Sequence, residues 1–154
     1  MAESELGAID RAALFESERG RSYMYASPAE ASCLVELDEE PPHEVNRDAL
    51  RTALQISKMF GAEMFDIICF MRKIVIDGSN TAGFQRTALI ARNGRLGDTG
   101  IATICLEEDY ARKAKEEGRT GYYNMDGLGV PLGKIATEPT IESARMLMNH
   151  PDVR

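Results

Sequence analysis

The clearest pattern of apolar and polar positions lies between Asn46 and Gly61. Leu50, Ala53, Leu54 and Ser57 recur at helical spacing, and Ile56, Met59 and Phe60 extend the same apolar face. Asn46 carries an N-cap side chain, and Gly61 can supply the left-handed residue that closes a helix, so the spacing predicts a helix over this interval. A weaker period places Leu6, Ile9, Ala13 and Leu14 on one face from Ser4 to about Glu18, predicting a short amphipathic helix. Thr140 to Asn149 predicts a last helix, capped by Thr140, with Ile141, Ala144, Leu147 and Met148 turned inward.

Elsewhere the period shortens or the apolar run is continuous. Cys33, Val35 and Leu37 alternate before the acidic run Asp38-Glu39-Glu40 and the Pro41-Pro42 pair, which predicts a strand ended by residues that lack a ladder donor. Phe65 to Ile76 has the β-branched and aromatic enrichment of a buried strand. Phe84 to Ala91 and Ile101 to Leu106 predict two more strands, flanking RNGRLGDTG, whose Asn93-Gly94 pair and three glycines favour a hairpin. Glu116 to Gly121 is rich in turn residues, and Val130 to Ala136 predicts a short strand. Strands joined by hairpins rather than by helices imply an α+β fold, a mainly antiparallel sheet flanked by helices.

Composition narrows this picture. A chain of 154 residues with 44% apolar content is expected to form one domain over residues 1–154, with a core that needs no disulfide. Against 18 basic residues stand 25 acidic ones, and the net charge of −7 argues against a stand-alone grip on nucleic acid, although a local basic patch stays open. Cys33, Cys69 and Cys105 cannot all pair with one another and each lies in an apolar run, which predicts buried, reduced thiols and a cytoplasmic protein. The opening residues carry charges where a signal peptide has an apolar stretch. The run Met64 to Ile76 is too short to span a bilayer and contains Asp66, Arg72 and Lys73, so no membrane association is expected.

Self-sufficient catalytic motifs are absent: there is no GxxxxGK[ST], CxxC, HExxH or GxSxG. With only His43 and His150, a histidine-centred nucleophile is not expected, and His43 reads as a turn residue after Pro42. Three local groups remain. Glu107-Glu108-Asp109 ends a strand, where it is either a solvated acidic turn or a source of hard oxygen ligands for Mg²⁺. Arg72-Lys73 interrupts an apolar strand, so either one cation reaches an anion or a cavity, or an edge strand shows both to water. The loop after Ile76 offers the side-chain oxygens of Asp77, Ser79, Asn80 and Thr81, two glycines for close backbone approach, and the cation of Arg86.

Four segments carry a family resemblance. CLVELDEEPPHEVN (Cys33 to Asn46), MRKIVIDGSNTAGFQRT (Met71 to Thr87), ICLEEDYARK (Ile104 to Lys113) and LGVPLGKIATEP (Leu128 to Pro139), in this order and spacing, resemble the E-type subunit of archaeal glutamyl-tRNA(Gln) amidotransferase. More distantly they are similar to the B-type subunit of the bacterial enzyme, and the match spans nearly the whole chain. The resemblance implies a cradle-shaped kinase and transamidase domain, with an antiparallel α+β fold of the glutamine synthetase and guanido kinase type. It further implies ATP and Mg²⁺ as cofactors, tRNA as a partner, and a second partner of the amidase or asparaginase type that releases ammonia. By the same resemblance Glu108 matches a metal-ligand glutamate and Lys73 a lysine lining the ammonia path. Lys73 and Arg86 thereby become candidate catalytic cations, and Asp77, Ser79 and Asn80 candidate cofactor contacts in the loop bordering the cavity.

The departures from the family pattern carry their own expectation. The segment reading GLEIHQQLDT has no counterpart, RLDRLG appears as NMDGLG with Gly127 in place of an arginine, and Lys134 stands where PLIEI has a metal-ligand glutamate. At an effective dielectric near 20, an ammonium about 4 Å from Mg²⁺ is opposed by roughly 8 kcal/mol. The lysine is therefore expected to swing away, lose its proton or exclude the metal, leaving a chain inactive by itself. Two alternatives stand beside this: a non-catalytic module that keeps the fold to associate with itself or with an amidotransferase partner, and a small ligase acting on a free carboxylate.

Overall fold

The helix with the strongest sequence signal forms with both expected ends. Asn46 Oδ1 accepts the amide hydrogens of Asp48 and Ala49 at 3.1 and 3.0 Å, while Asp48 in the first turn and Lys58 in the last suit the helix dipole. At the other end Gly61 has φ +58°, and the amides of Gly61 and Ala62 donate to the carbonyls of Lys58 and Ser57, the paired bonds of a Schellman motif. Ala53 and Ser57 are buried, and Leu50 and Leu54 are half-buried beside them. Met59 departs from the expected face and is 81% exposed, because it sits about 240° round the axis from Ala53.

The computed structural model describes residues 11–126 and 129–139. Among them, helix α1 spans Arg11–Glu18, strand β1 Ser22–Ala26, helix α2 Arg47–Met59, and β2 Glu63–Met64. Then follow β3 Phe70–Ile74, β4 Phe84–Leu96, β5 Thr99–Asp109, β6 Arg112–Glu117, β7 Thr120–Asn124 and β8 Val130–Thr137. This is an α+β arrangement of mainly antiparallel strands with two helices. The first residues of the helix expected from Ser4, and the whole of that expected over Thr140 to Asn149, lie outside the described residues. No described helix is long and apolar enough to cross a membrane.

The described residues fall into two compact units, the first within 1–43, 72–85 and 108–130, the second within 44–71, 86–107 and 131–154. In the first, three strands lie in the order β1-β7-β6. The β1 and β7 pair is parallel, from Ser22 opposite Thr120 to Ala26 opposite Asn124, whereas β6 and β7 form an antiparallel hairpin. Their core is Ala111, Tyr123 and Met125, packed by Tyr23, Tyr25 and Leu37. β6, RKAKEE, is exposed throughout and has no apolar alternation; it is a strand because β7 offers it a ladder, with Lys113 paired to Glu116 and Lys115 to Glu117.

The strand expected at Cys33 to Leu37 is instead a series of turns. Amides of Glu36, Asp38 and Glu39 donate to the carbonyls of Cys33, Val35 and Leu34, and Asp38 takes φ +62°. The alternation misled because the polar position is the buried one. Glu36 is fully buried, its Oε1 accepting from the Gly129 amide at 2.5 Å and its Oε2 from the Cys33 amide at 3.2 Å. Side-chain bonds to the backbone here replace the ladder a strand would need.

In the second unit the order is β2-β4-β5-β8, with β3 also paired to β4. The expected β4–β5 hairpin forms, but its turn lies between Leu96 and Thr99 rather than at Asn93-Gly94. Gly94 stays in the ladder because it is a point of close approach: a Cβ there would stand 3.1 Å from the Ala62 Cβ and 3.4 Å from that of Phe60. A bulge between Leu89 and Ala91 shifts the register, and the successive residues Ile90 and Ala91 enter different clusters. Ile90 packs with Ala53, Ala88 and Leu106 under α2, and Ala91 with Ala62, Ile101 and Ile104.

The buried strand expected over Phe65 to Ile76 shrinks to β3. Ile67 is 79% exposed, and Cys69, Met71 and Ile74 are exposed as well. A continuous apolar run sets composition but not neighbours, and among the described residues β3 pairs only with β4. No disulfide joins the three cysteines. Cys33 and Cys105 are half-buried, whereas Cys69 faces solvent, against the expectation of burial.

Candidate functional site

Lys73, Gln85, Glu108 and Tyr110 come together in the first unit. Strand alternation turns the Gln85 side chain inward on β4, where it is buried. The half-buried Lys73 donates from Nζ to Gln85 Oε1 at 2.8 Å, Gln85 Nε2 donates to the Glu108 carbonyl at 3.3 Å, and the Tyr110 hydroxyl donates to Glu108 Oε2 at 2.7 Å. Lys73 thus has a partner inside the fold. Arg72, its neighbour, is exposed and lays its guanidinium 5.7 Å from the Phe84 ring centroid, so the Arg72-Lys73 pair divides between the two alternatives. Chemically, the group is an ammonium held by an amide oxygen, with a carboxylate steadied by a phenol close along the same bonds.

The loop after β3 is closed on itself by the amide of Val75 donating to Gly83 and that of Gly83 donating to Asn80. Asp77 Oδ1 accepts from both the amide and the hydroxyl of Ser79, at 2.9 and 2.7 Å. Asn80 is only 3% exposed, and its Oδ1 accepts no hydrogen bond from any described residue. Three phenols bind the loop's main chain: Tyr23 donates to the Ile76 carbonyl at 3.1 Å, Tyr123 to Asp77 at 2.5 Å and Tyr25 to Gly78 at 2.7 Å. Thr81 Oγ1 adds a bond of 2.6 Å to the Glu36 carbonyl. Gly78 is required twice over, by its φ of +91° and because a Cβ would come 2.5 Å from the Tyr23 ring.

Burial shifts these phenols. Tyr25 is pushed up to about 12, first by burial and then by Tyr123, Tyr23 and Asp77. Tyr23 is raised by burial and Glu16, with Arg21 opposing, and Tyr123 by burial and Asp77, with Lys113 opposing. Their folded values lie above the unfolded value of about 10, so the stability they contribute is intact below that pH and is lost as pH rises toward about 12. An alkaline titration is expected to show phenolate absorbance and loss of near-ultraviolet dichroism together in that window; dichroism that survives full ionisation would sink the assignment.

The other expected site residues lie in the second unit. Arg86 has its guanidinium 3.9 Å from the Phe70 ring centroid. Lys134 lies beside a buried carboxylate, its Nζ 3.8 Å from Glu107 Oε1. Along the acidic run Glu107 is buried, Glu108 half-buried and Asp109 exposed. No group of three or more His, Cys, Asp or Glu side chains among the described residues could hold a metal ion, and Glu108 already accepts from Tyr110. Among the described residues Glu108 would therefore share a divalent ion with phosphate or water oxygens, the usual way Mg²⁺ is held, rather than cage it alone. On β6 the basic residues are matched, Arg112 with Asp126, Lys113 with Glu116 and Lys115 with Glu117, so this strand carries no net basic patch.

Sequence reasoning missed Gln85, Tyr110, Glu36 and the three tyrosines. SYMYA over β1 repeats tyrosine at period two, a signal that could have exposed both the strand and its inward phenols. Glu36 offered none, since a buried carboxylate reads like any acidic residue beside Asp38-Glu39-Glu40.

Comparison with known proteins bears on the chain as a whole. The chain matches the family described as the GatB/GatE catalytic domain over residues 8–150. It is 58% identical over 140 residues to the E-type subunit of glutamyl-tRNA(Gln) amidotransferase from Pyrobaculum islandicum, covering 88% of this chain and 23% of that protein. With the same subunit of the Aeropyrum pernix enzyme it shares 54% over 144 residues, 91% of this chain and 22% of the relative. With that of Methanocaldococcus jannaschii it shares 48% over 147 residues, 93% and 23%. The chain spans about a quarter of the length of these curated relatives. Family and relatives agree with the resemblance carried by MRKIVIDGSNTAGFQRT and ICLEEDYARK: this chain belongs to the GatB/GatE catalytic domain family and is related to the tRNA-dependent amidotransferases.

Proposed function

We propose that the chain, as one cradle-type catalytic domain over residues 1–154 with a fold of the glutamine synthetase and guanido kinase type, serves the ATP-dependent amidation of glutamate carried on tRNA(Gln). Its partners would be that tRNA and an amidase- or asparaginase-type protein supplying ammonia. The observation that carries the reading is the family match over residues 8–150.

In this reading the Lys73 ammonium, steadied by Gln85, is a cation for anionic oxygens of the reaction, and the Arg86 guanidinium, stacked on Phe70 within the second unit, is kept as a separate candidate cation. Asp77, Ser79 and Asn80 would offer oxygens and amides to the nucleotide, and Glu108, steadied by Tyr110, is the candidate ligand carboxylate. Glu108, together with nucleotide phosphate, would hold Mg²⁺, which would supply neutralisation of the phosphate charge. No group of three or more His, Cys, Asp or Glu gathers among the described residues to hold the ion without a nucleotide, and Lys134 answers Glu107 with an ammonium. The chain is therefore read as incomplete for catalysis by itself.

Calorimetric titration of ATP, with and without Mg²⁺, tests both halves. Binding on the order of millimolar and indifferent to Mg²⁺ is expected. Tight metal-dependent binding would overturn the incompleteness, and no binding at saturating ATP would remove the loop's nucleotide role.

Leu132 and Ile135 on β8, together with Met59 and Ile67, are large apolar side chains left exposed, which favours a second reading. In it the chain is a non-catalytic module that associates with itself or with an amidotransferase partner. Native mass spectrometry separates the two, because a monomer with no affinity for such a partner would count against the module.

A further inference from the structure

Three phenols donating to three successive carbonyls is more than buried tyrosines finding convenient acceptors. Neighbouring peptide groups of an extended chain alternate in direction, so the carbonyls of Ile76, Asp77 and Gly78 can all face one cluster of hydroxyls only with a local reversal. Gly78, at φ +91°, supplies it. The phenols are themselves fixed by the parallel pairing of β1 and β7, where Tyr25 is directly opposite Tyr123 and Tyr23 is opposite Gly121. Tyr23 and Tyr123 pack edge to face, with centroids 6.0 Å apart at 75°, and Tyr25 lies 5.8 Å from Tyr123. The pins also use only main-chain carbonyls. Asp77 Oδ1 is engaged only within the loop, by Ser79, and Asn80 keeps Oδ1 without a described partner, so none of the three phenols draws on these side-chain oxygens.

We infer that Tyr23, Tyr25 and Tyr123 are positioning residues, whose hydroxyls hold the Asp77 to Asn80 segment in one ligand-ready conformation before any nucleotide arrives. The ligand named here rests on the nucleotide role proposed above; the holding of the loop does not. Each hydroxyl removes one way for the loop to open, and the three act on adjacent residues, so their loss is expected to be local and cumulative.

The test is amide hydrogen exchange on the whole chain and on the triple variant Tyr23→Phe, Tyr25→Phe, Tyr123→Phe, which keeps every ring and removes only the hydroxyls. The amides of Ser79 and Gly83 are expected to exchange about tenfold faster or more and well beyond any change in those of β5 in the second unit, with the melting temperature lowered only by the several degrees that three lost hydroxyl bonds cost. Unchanged exchange at Ser79 and Gly83 overturns the inference. So does acceleration of all amides together, which marks a purely structural contribution. Should the triple variant fail to fold, Tyr25→Phe and Tyr23→Phe singly give the same readout with smaller amplitude. Saturating ATP is expected to slow Ser79 exchange further in the wild type; if it does not, the nucleotide reading falls while the comparison between variants still decides the positioning role.

Discussion

Glu36→Ala is expected to lower stability by roughly 2 to 6 kcal/mol, since each stranded donor costs about 1 to 3 kcal/mol and this change strands two part-buried ones. The carboxylate is fully buried and accepts the amides of Cys33 and Gly129, which are far apart in sequence, while its own carbonyl receives Thr81. One residue thus ties together the Cys33 turn, the candidate loop and the segment before β8. Alanine removes both acceptors and leaves a void too poor in polar partners to be neutral. Glu36→Gln keeps the shape and one oxygen, and about half the loss is expected. Urea denaturation followed by dichroism measures both; a loss below about 1 kcal/mol for the alanine variant would show that the two amides find other acceptors at little cost.

Ile90→Ala is expected to cost about 2 to 5 kcal/mol, and Ile90→Val about 0.5 to 1.5 kcal/mol, the range for deleting buried methyl groups under a helix. Ile90 is fully buried at the β4 bulge, against Ala53 of α2 and against Ala88 and Leu106. Ala53 and Ala88 are too small to fill the space, and Leu50, Leu54, Ile68 and Phe70 packed against the cluster can relax into it only in part, which sets the cost within that range. Faster amide exchange is expected to appear first in α2, which loses part of its packing on the sheet, before the β4–β5 ladder opens. A loss under about 1 kcal/mol, or exchange that spares α2, would mean that the helix is held by something other than this cluster.

Legibility in the sequence followed the range of the interactions. α2 could be read with both ends because Asn46 bonds two and three residues ahead and Gly61 closes on carbonyls within five residues, all inside one local window. The existence of the β4–β5 hairpin was equally legible, but not its turn. Gly94 reads as a turn residue, whereas its smallness serves Ala62 and Phe60 packing against it, a contact no local pattern reports. The strand expected at Cys33 to Leu37 failed for the complementary reason: Glu36 is satisfied by Gly129, 93 residues away.

The candidate site divides the same way. Residue types and the family resemblance singled out Lys73, Arg86, Asp77, Ser79, Asn80 and Glu108, because charge, hydroxyls and glycines declare themselves in a string. Gln85 and the tyrosines did not, since an amide or a phenol becomes a link only when a partner is set across from it.

By itself the sequence determined an α+β chain of the GatB/GatE catalytic domain family, the capped helix α2, and a polar loop flanked by a lysine and an acidic strand end. Only the tertiary structure decided that Lys73 is tied to Gln85, that Lys134 answers Glu107, and that the loop is pinned by phenols 46 to 53 residues distant. The reason is physical: caps and periodicity act within a turn or two of chain, whereas a buried polar group is stable only with a partner, and which partner depends on strand pairings that bring remote segments together.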